Sequence, residues 1–236
     1  ERLKSVDVIL ASQSPRRREL LGVICDNFRV VPAKGEEIIP EGLEIEEIPR
    51  QLALNKCREI AEKNVNSLVI GCDTVVVLGD RIMGKPENDE DAYEMLRALS
   101  GQTHRVMSGT AVYYEGEYHS FVTVTDVSFK ELSDRDIYAY IATGEPADKA
   151  GAYGIQGQGC LLVKGFTGDY FNVVGLPVCR LAETLKALIR STPFTRIAEP
   201  WTDSNFIDLY GVTCSSLSTP VMPHMFVFSL NVIFAT

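Results

Sequence analysis

Apolar residues recur along this chain in two rhythms, and the rhythm changes at small polar residues. Val8-Ile9-Leu10 is a short continuous apolar run and predicts a buried strand, while Asn27 to Val31 alternates and predicts a second. Thr103 to Tyr114 and Tyr118 to Phe129 predict two strands joined by a turn at Glu115-Gly116. Cys160 to Val163 predicts another, with a turn at Gly165 to Gly168 after it. The other rhythm is helical. Ser14 predicts an N-cap with Pro15 in the first turn behind it. From Glu47 to about Asn64 the apolar arc is Leu52, Ala53, Cys57 and Ile60. Asn88 predicts the cap of a helix that stops at Ser100-Gly101, and Ser133 with Asp136 opens one that ends at Thr143-Gly144. A last helix, from Pro177 to about Arg190, puts Val178, Leu181, Leu185, Leu188 and Ile189 on one face.

One stretch breaks the apolar logic. Between Leu68-Val69-Ile70 and Val75-Val76-Val77 stands an acid, Asp73, beside Thr74. An unpaired carboxylate between two buried strands costs several kcal/mol, roughly, so it caps a loop, meets a cation or does chemistry. A hairpin turn at Gly79-Asp80 then delivers Gly84-Lys85-Pro86, and Lys85 is a candidate counter-charge. Lys56 interrupts the apolar arc of its helix, where it either snorkels or reaches a phosphate. Arg16, Arg17 and Arg18 crowd the first turn after Ser12 and Ser14. Cations there oppose the helix dipole, so the turn is either plainly solvated or an anion site. The acidic stretch from Pro32 to Glu47 carries Glu36 and Glu37, which either bind metal or are solvated. Gly144 to Gly159 predicts a long loop holding Asp148, Lys149, Tyr153 and Gln156, either functional or merely flexible.

Composition narrows the chemistry. The net charge of −9 and the pI near 4.9 argue against nucleic-acid or anionic-membrane binding, so a polyanion would need a local basic cluster and a divalent metal. Six cysteines lack any C-x-x-C spacing and the first residues have no apolar run, which predicts a reducing, cytoplasmic setting without a signal peptide. Three scattered histidines argue against a zinc site or a His-based triad. Beyond Ser191 lysine disappears and the chain ends in an interrupted apolar run too short to span a membrane.

Several segments taken together resemble the Maf family of nucleoside triphosphate pyrophosphatases, relatives of the inosine triphosphatase-like fold. They are S-Q-S-P-R-R-R at 12–18, E-E at 36–37, L-A-L-N-K at 52–56, G-C-D-T-V-V-V at 71–77, G-K-P at 84–86, L-S-G-Q-T-H at 99–104, D-K-A-G-A-Y-G-I-Q-G at 148–157 and N-V-V-G-L-P at 172–177. The resemblance spans roughly 6–190, so 1–190 is expected to be one domain and 191–236 an extension of unknown role. It implies a two-lobed α/β fold, with an elongated mixed central sheet flanked by helices and a nucleotide cleft between the lobes. It also implies hydrolysis of a nucleoside triphosphate to the monophosphate and pyrophosphate with a divalent metal, Mg or Mn. Residue by residue, Asp73 matches the catalytic base, and Glu37, Lys56 and Lys85 the metal- and phosphate-contacting positions, with Glu37 and Asp73 as metal ligands. Ser12, Ser14, Arg16 and Arg17 match the phosphate loop. Thr74 after the acid and Gln156 in the late loop resemble the dTTP/UTP branch, modified pyrimidines included, with Arg16, Thr74 and Gln156 reading the base. The alternatives are 7-methyl-GTP or a non-standard purine triphosphate as substrate, or a nucleotide-binding regulator of cell division with little turnover. No nucleic acid or membrane partner is expected, and a homodimer is left open.

Overall fold

Long antiparallel strands form the frame on which everything else is hung. The computed structural model describes residues 5–35 and 42–191; Glu36, Glu37 and the expected extension from 192 onward lie outside the described residues. In chain order the described elements open with β1 (Val8–Leu10), α1 (Pro15–Ile24), β2 (Arg29–Val30) and α2 (Ile48–Ala61). The hairpin β3 (Leu68–Leu78) and β4 (Arg81–Met83) follows, then α3 (Asp89–Leu99) and the hairpin β5 (Thr103–Tyr114) and β6 (Glu117–Phe129). After α4 (Asp134–Ile141) come three short 3-10 turns, β7 (Val163–Thr167), α5 (Tyr170–Val174) and α6 (Val178–Ser191).

The helix ends form where the local chemistry requires. Ser14 accepts from the Arg17 N–H, Asn88 from the Asp91 N–H, and Ser133 and Asp136 exchange bonds as a capping box. The strands make one mixed sheet ordered β2-β1-β3-β5-β6-β7, with β4 also on β3. β1 runs parallel to β2 and β3, and the remaining pairs are antiparallel.

The two faces of the sheet are covered differently. Odd-numbered residues of β3, Val69, Val75 and Val77, pack under α2 with Ala53, Cys57, Leu52 and Ile48. Gly71 and Gly109 let α2 lie almost in contact with the strands: a Cβ at Gly109 would sit 1.9 Å from the Pro49 carbonyl oxygen, and one at Gly71 2.4 Å from that of Ala53. The even-numbered face carries two separate cores. Leu68, Ile70 and Cys72 pack with α1 and α6 through Leu21, Leu181 and Leu185. Val76 and Val106 pack with α3 and α4 through Leu96, Leu99 and Ile137. Each of these fully buried aliphatic side chains stabilises the fold by about 1.5–3 kcal/mol. Between the two lobes runs a polar belt of Thr74, Ser108, Thr110 and Thr125, roofed by α5.

Four expectations are corrected. Asp73 stands inside one eleven-residue strand, not between two, because β5 pairs continuously with β3 from Val69 to Val77. The strand expected at Asn27 to Val31 is reduced to Arg29–Val30, since only those residues register with β1. The strand expected at Cys160 to Val163 begins instead at Val163 and covers the expected turn at Gly165. Residues 157–162 form a 3-10 turn, because the Glu145 carboxylate accepts from the Gln158 and Gly159 N–H groups. The long loop is accordingly not slack: Ala152, Tyr153 and Ile155 are buried in the cores.

Candidate active site

The site follows from a gap in strand pairing. β5 occupies one edge of β3 over Val69 to Val77. β1 pairs with the other edge only at Leu68–Ile70, and β4 only at Val76–Leu78. Gly71 to Val75 is therefore a notch on that edge, left open by both neighbours. β1 runs parallel to β3 and β4 antiparallel, so the carboxyl ends of both point into the notch. That is where an open sheet containing a switch in strand direction binds ligands. Ser12 to Arg17 enters from β1, and Gly84-Lys85 from β4. The Gly151 N–H donates to the Gly84 carbonyl at 2.9 Å, which brings the 148–157 segment alongside.

Asp73 and Thr74 are neighbours on the notch with side chains on opposite faces of the sheet. On the α2 face, buried Asp73 forms an ion pair and hydrogen bond with Lys56. Gly71 and Gly109 make this possible by letting α2 approach. Lys56 therefore does not snorkel outward; it meets the Asp73 carboxylate. On the opposite face Arg17 is held by three acceptors: Nη2 donates to Thr74 Oγ1 at 3.0 Å, Nε to the Gly175 carbonyl at 2.9 Å and Nη1 to Ser12 Oγ at 3.3 Å. Ser12 Oγ also accepts from the Ser14 N–H at 3.2 Å, tightening the turn before α1.

Of the candidate cations named from the sequence, not all reach Asp73. Lys56 does so, Arg17 faces the other side of the strand, and Arg16 donates to Asp148 at 3.4 Å. Lys149 also binds Asp148, at 2.6 Å, and the Glu145 carbonyl at 2.6 Å. Burial would raise the Asp148 pKa, but the Lys149 bond and charge, with Arg16, hold it below the usual carboxylate value. Lys85 is exposed at the rim, and among the described residues it has no ion-pair partner. Gln156 is exposed on the late loop, and its side chain has no hydrogen bond to a described group. Glu37 lies outside the described residues.

Three partners were not legible as such in the sequence. Ser108 accepts a place beside Thr74 at 2.8 Å through the register of β3 and β5, which no local motif signals. The Gly175 carbonyl serves both Arg17 and the Cys72 thiol, which donates to it at 3.3 Å. Burial pushes the Cys72 thiol up, so it is a packing group and not a thiolate nucleophile. Lys149 stood in a loop noted for its charges, and only the fold sets it against Asp148.

The arrangement can bind a polyphosphate. Arg16, Lys85 and Lys149 surround the opening, Ser12 and Ser14 stand at a helix start, and one buried carboxylate lies at the floor. The donor set also suits a hard divalent cation. Among the described residues no three His, Cys, Asp or Glu side chains cluster as a cage. Mg²⁺ does not need one, because it is commonly held by one or two carboxylates plus the phosphates of its substrate. Asp73 supplies such a carboxylate beside the Ser12–Arg17 turn.

A family model described as Maf-like protein matches residues 7–188. A dTTP/UTP pyrophosphatase of Halalkalibacterium halodurans is 44% identical over 187 residues, covering 79% of this chain and 98% of its own. One of the same name from Thermococcus onnurineus is 50% identical over 175 residues, covering 72% of this chain and 92% of its own. Among solved structures, a HAM1 protein from Coxiella burnetii aligns at 15% identity with a TM-score of 0.45, over 77% of this chain and 99% of that one. The matched span takes in the sheet, the notch and every described side chain around it, and this chain belongs to the Maf family.

Proposed function

We propose that this chain hydrolyses dTTP and UTP to the nucleoside monophosphate and pyrophosphate, clearing these nucleotides from the free pool. The names of the relatives support the substrate class. The observation that carries the chemistry is the Asp73–Lys56 pair on the floor of the notch. A pure binder of triphosphates needs no general base, whereas a hydrolase needs a group to accept a proton from water, and Asp73 is a buried carboxylate suited to that.

In this reading Asp73 orients and deprotonates the water that attacks the α-phosphorus. Lys56 fixes the carboxylate and opposes charge that develops on the phosphate. Ser12, Ser14 and Arg16 hold the phosphate chain at the start of α1, with Lys85 on the far rim and Arg17 bracing the turn. Asp73, with Glu37, would hold Mg²⁺ or Mn²⁺, which supplies charge neutralisation on the phosphates when bound. Arg16, Thr74 and Gln156 face the base. The reading includes a cytoplasmic setting, which suits the free thiols of Cys25, Cys57, Cys72 and Cys160. No helix among the described residues is long and apolar enough to cross a membrane.

A nucleotide panel with pyrophosphate detection, run with Mg²⁺, Mn²⁺ and chelator, tests the proposal. Turnover of dTTP and UTP that chelator abolishes is expected. Turnover confined to 7-methyl-GTP or deaminated purine triphosphates would overturn the substrate assignment. Nucleotide binding without hydrolysis under any metal would overturn the enzyme.

A further inference from the structure

The direction of one hydrogen bond at the notch is set by residues away from it. Thr74 Oγ1 and Ser108 Oγ are 2.8 Å apart, and by distance alone either could donate. Ser108 Oγ, however, donates to the backbone carbonyl of Asn172 at 3.1 Å, and a carbonyl only accepts. The single hydrogen of Ser108 is thereby committed, so the hydrogen between the two hydroxyls belongs to Thr74. Thr74 Oγ1 in turn accepts from Arg17 Nη2 at 3.0 Å. A hydroxyl has one hydrogen and two lone pairs. Thr74 has given its hydrogen to Ser108 and one lone pair to Arg17, and only the second lone pair is left for a ligand.

This polarity is locked. Ser108 and Asn172 are completely buried, and the Asn172 amide donates at 3.0 Å to both the Val106 carbonyl and Thr125 Oγ1. Water cannot enter to reverse the chain of donors. Thr74 itself is only half-buried and lies on the open segment of β3.

We infer that Ser108 is a positioning residue that fixes Thr74 as a hydrogen-bond acceptor, so that the site selects pyrimidines presenting an N–H at ring position 3. The inference rests on the function proposed above. Thymine and uracil share an imide N–H at ring position 3, where cytosine carries a bare nitrogen. An acceptor-only Thr74 pairs with the first and opposes a lone pair to the second. A site that leaves such groups unpaired discriminates strongly.

The test is kcat/KM for UTP and CTP in the wild type, Ser108→Ala and Thr74→Val, each checked for folding by its Tm. Ser108→Ala releases the Thr74 hydrogen to point at the base, so CTP gains and the UTP/CTP ratio falls by about tenfold or more. Thr74→Val lowers the ratio too, through loss of UTP. Ser108→Cys, whose thiol is a weak acceptor, replaces the alanine variant if that fails to fold. A wild type that turns over UTP and dTTP, with the ratio unmoved in a folded Ser108 variant, overturns this inference alone. A wild type that turns over neither overturns the proposed function and this inference with it.

Discussion

Lys56 and Asp73, 17 residues apart in sequence, form an ion pair where α2 crosses the open edge of β3. Their side chains are only 20% and 10% exposed, so solvent screens this pair far less than the surface pairs elsewhere in the chain. Both residues thus stand where loss of one partner leaves a poorly hydrated charge behind.

Asp73→Asn keeps the shape but cannot take a proton from water. On the proposed mechanism kcat falls by roughly 10²–10⁴, while nucleotide binding weakens little or tightens as a negative charge is removed. Lys56 loses the carboxylate charge it faces, and stability falls by about 1–3 kcal/mol, less than for a fully buried pair. In ¹⁸O-water the wild type should place label in the monophosphate. Label in pyrophosphate would move the attack to the β-phosphorus, and near-normal turnover by Asp73→Asn would mean that another group is the base.

Gly109→Ala should separate α2 from the sheet. The new Cβ meets backbone atoms, the Pro49 carbonyl oxygen at 1.9 Å and the Arg50 nitrogen at 2.5 Å, which cannot swing aside as a side chain would. We expect a loss of about 3 kcal/mol in urea unfolding and a lower kcat as Lys56 moves off Asp73. Gly165→Ala, where an added Cβ meets nothing within 4 Å, is the control and should stay within about 0.5 kcal/mol of the wild type. Equal stabilities for the two variants would contradict the close approach.

His104 gives a pH signature. It is 1% exposed, bonded at 2.7 Å to the Tyr153 hydroxyl, and burial pushes its pKa down from 6.5 to about 4. The unfolded chain therefore takes up a proton that the folded one refuses. The contribution is complete above pH 6.5 and is lost as pH falls from there to about 4, by about 3 kcal/mol. Asp7, held down to about 2 by the Arg29 guanidinium and then Ser67, acts in the same sense at lower pH, between its unfolded value near 4 and 2. His104→Gln should flatten the stability curve between pH 6.5 and 4 only. A variant that retains the full slope there would assign it to other groups.

A chain ending at Thr192 should keep its kcat. The Halalkalibacterium relative is matched over 98% of its length by 187 residues of this chain, so a protein of that name needs no counterpart of the remainder. Altered solubility or assembly would be compatible with this expectation. A folded, truncated chain with a substantially lower kcat would not.

Much of the frame was legible because its causes are local. The Ser133–Asp136 capping box joins residues three apart, and the Asn88 cap reaches only to Asp91. The β5–β6 hairpin turns at Glu115-Gly116, where both residues hold positive φ. Lys56 in an apolar arc and Asp73 in an apolar run could each be recognised as out of place, since burial penalises an unpaired charge wherever it falls. The expected strand at Cys160 failed because its cause was not local: a carboxylate fifteen residues earlier, Glu145, holds that backbone in a turn.

The sequence by itself thus determined the caps, the long strands, the buried faces and the residues that needed partners. Which partners they took was a tertiary decision. Alternation puts Asp73 and Thr74 on opposite faces, but only the packing of α2 on Gly71 and Gly109 joins Asp73 to Lys56. Only the return of α5 to Ser108, and of Gly175 to Arg17, settles the polarity of Thr74. The notch itself depends on β1 and β4 both pairing with one edge of β3 and stopping short of each other. The physical reason is range: caps and periodicity act over a few residues, whereas strand edges are matched by the combined burial of segments far apart in the chain.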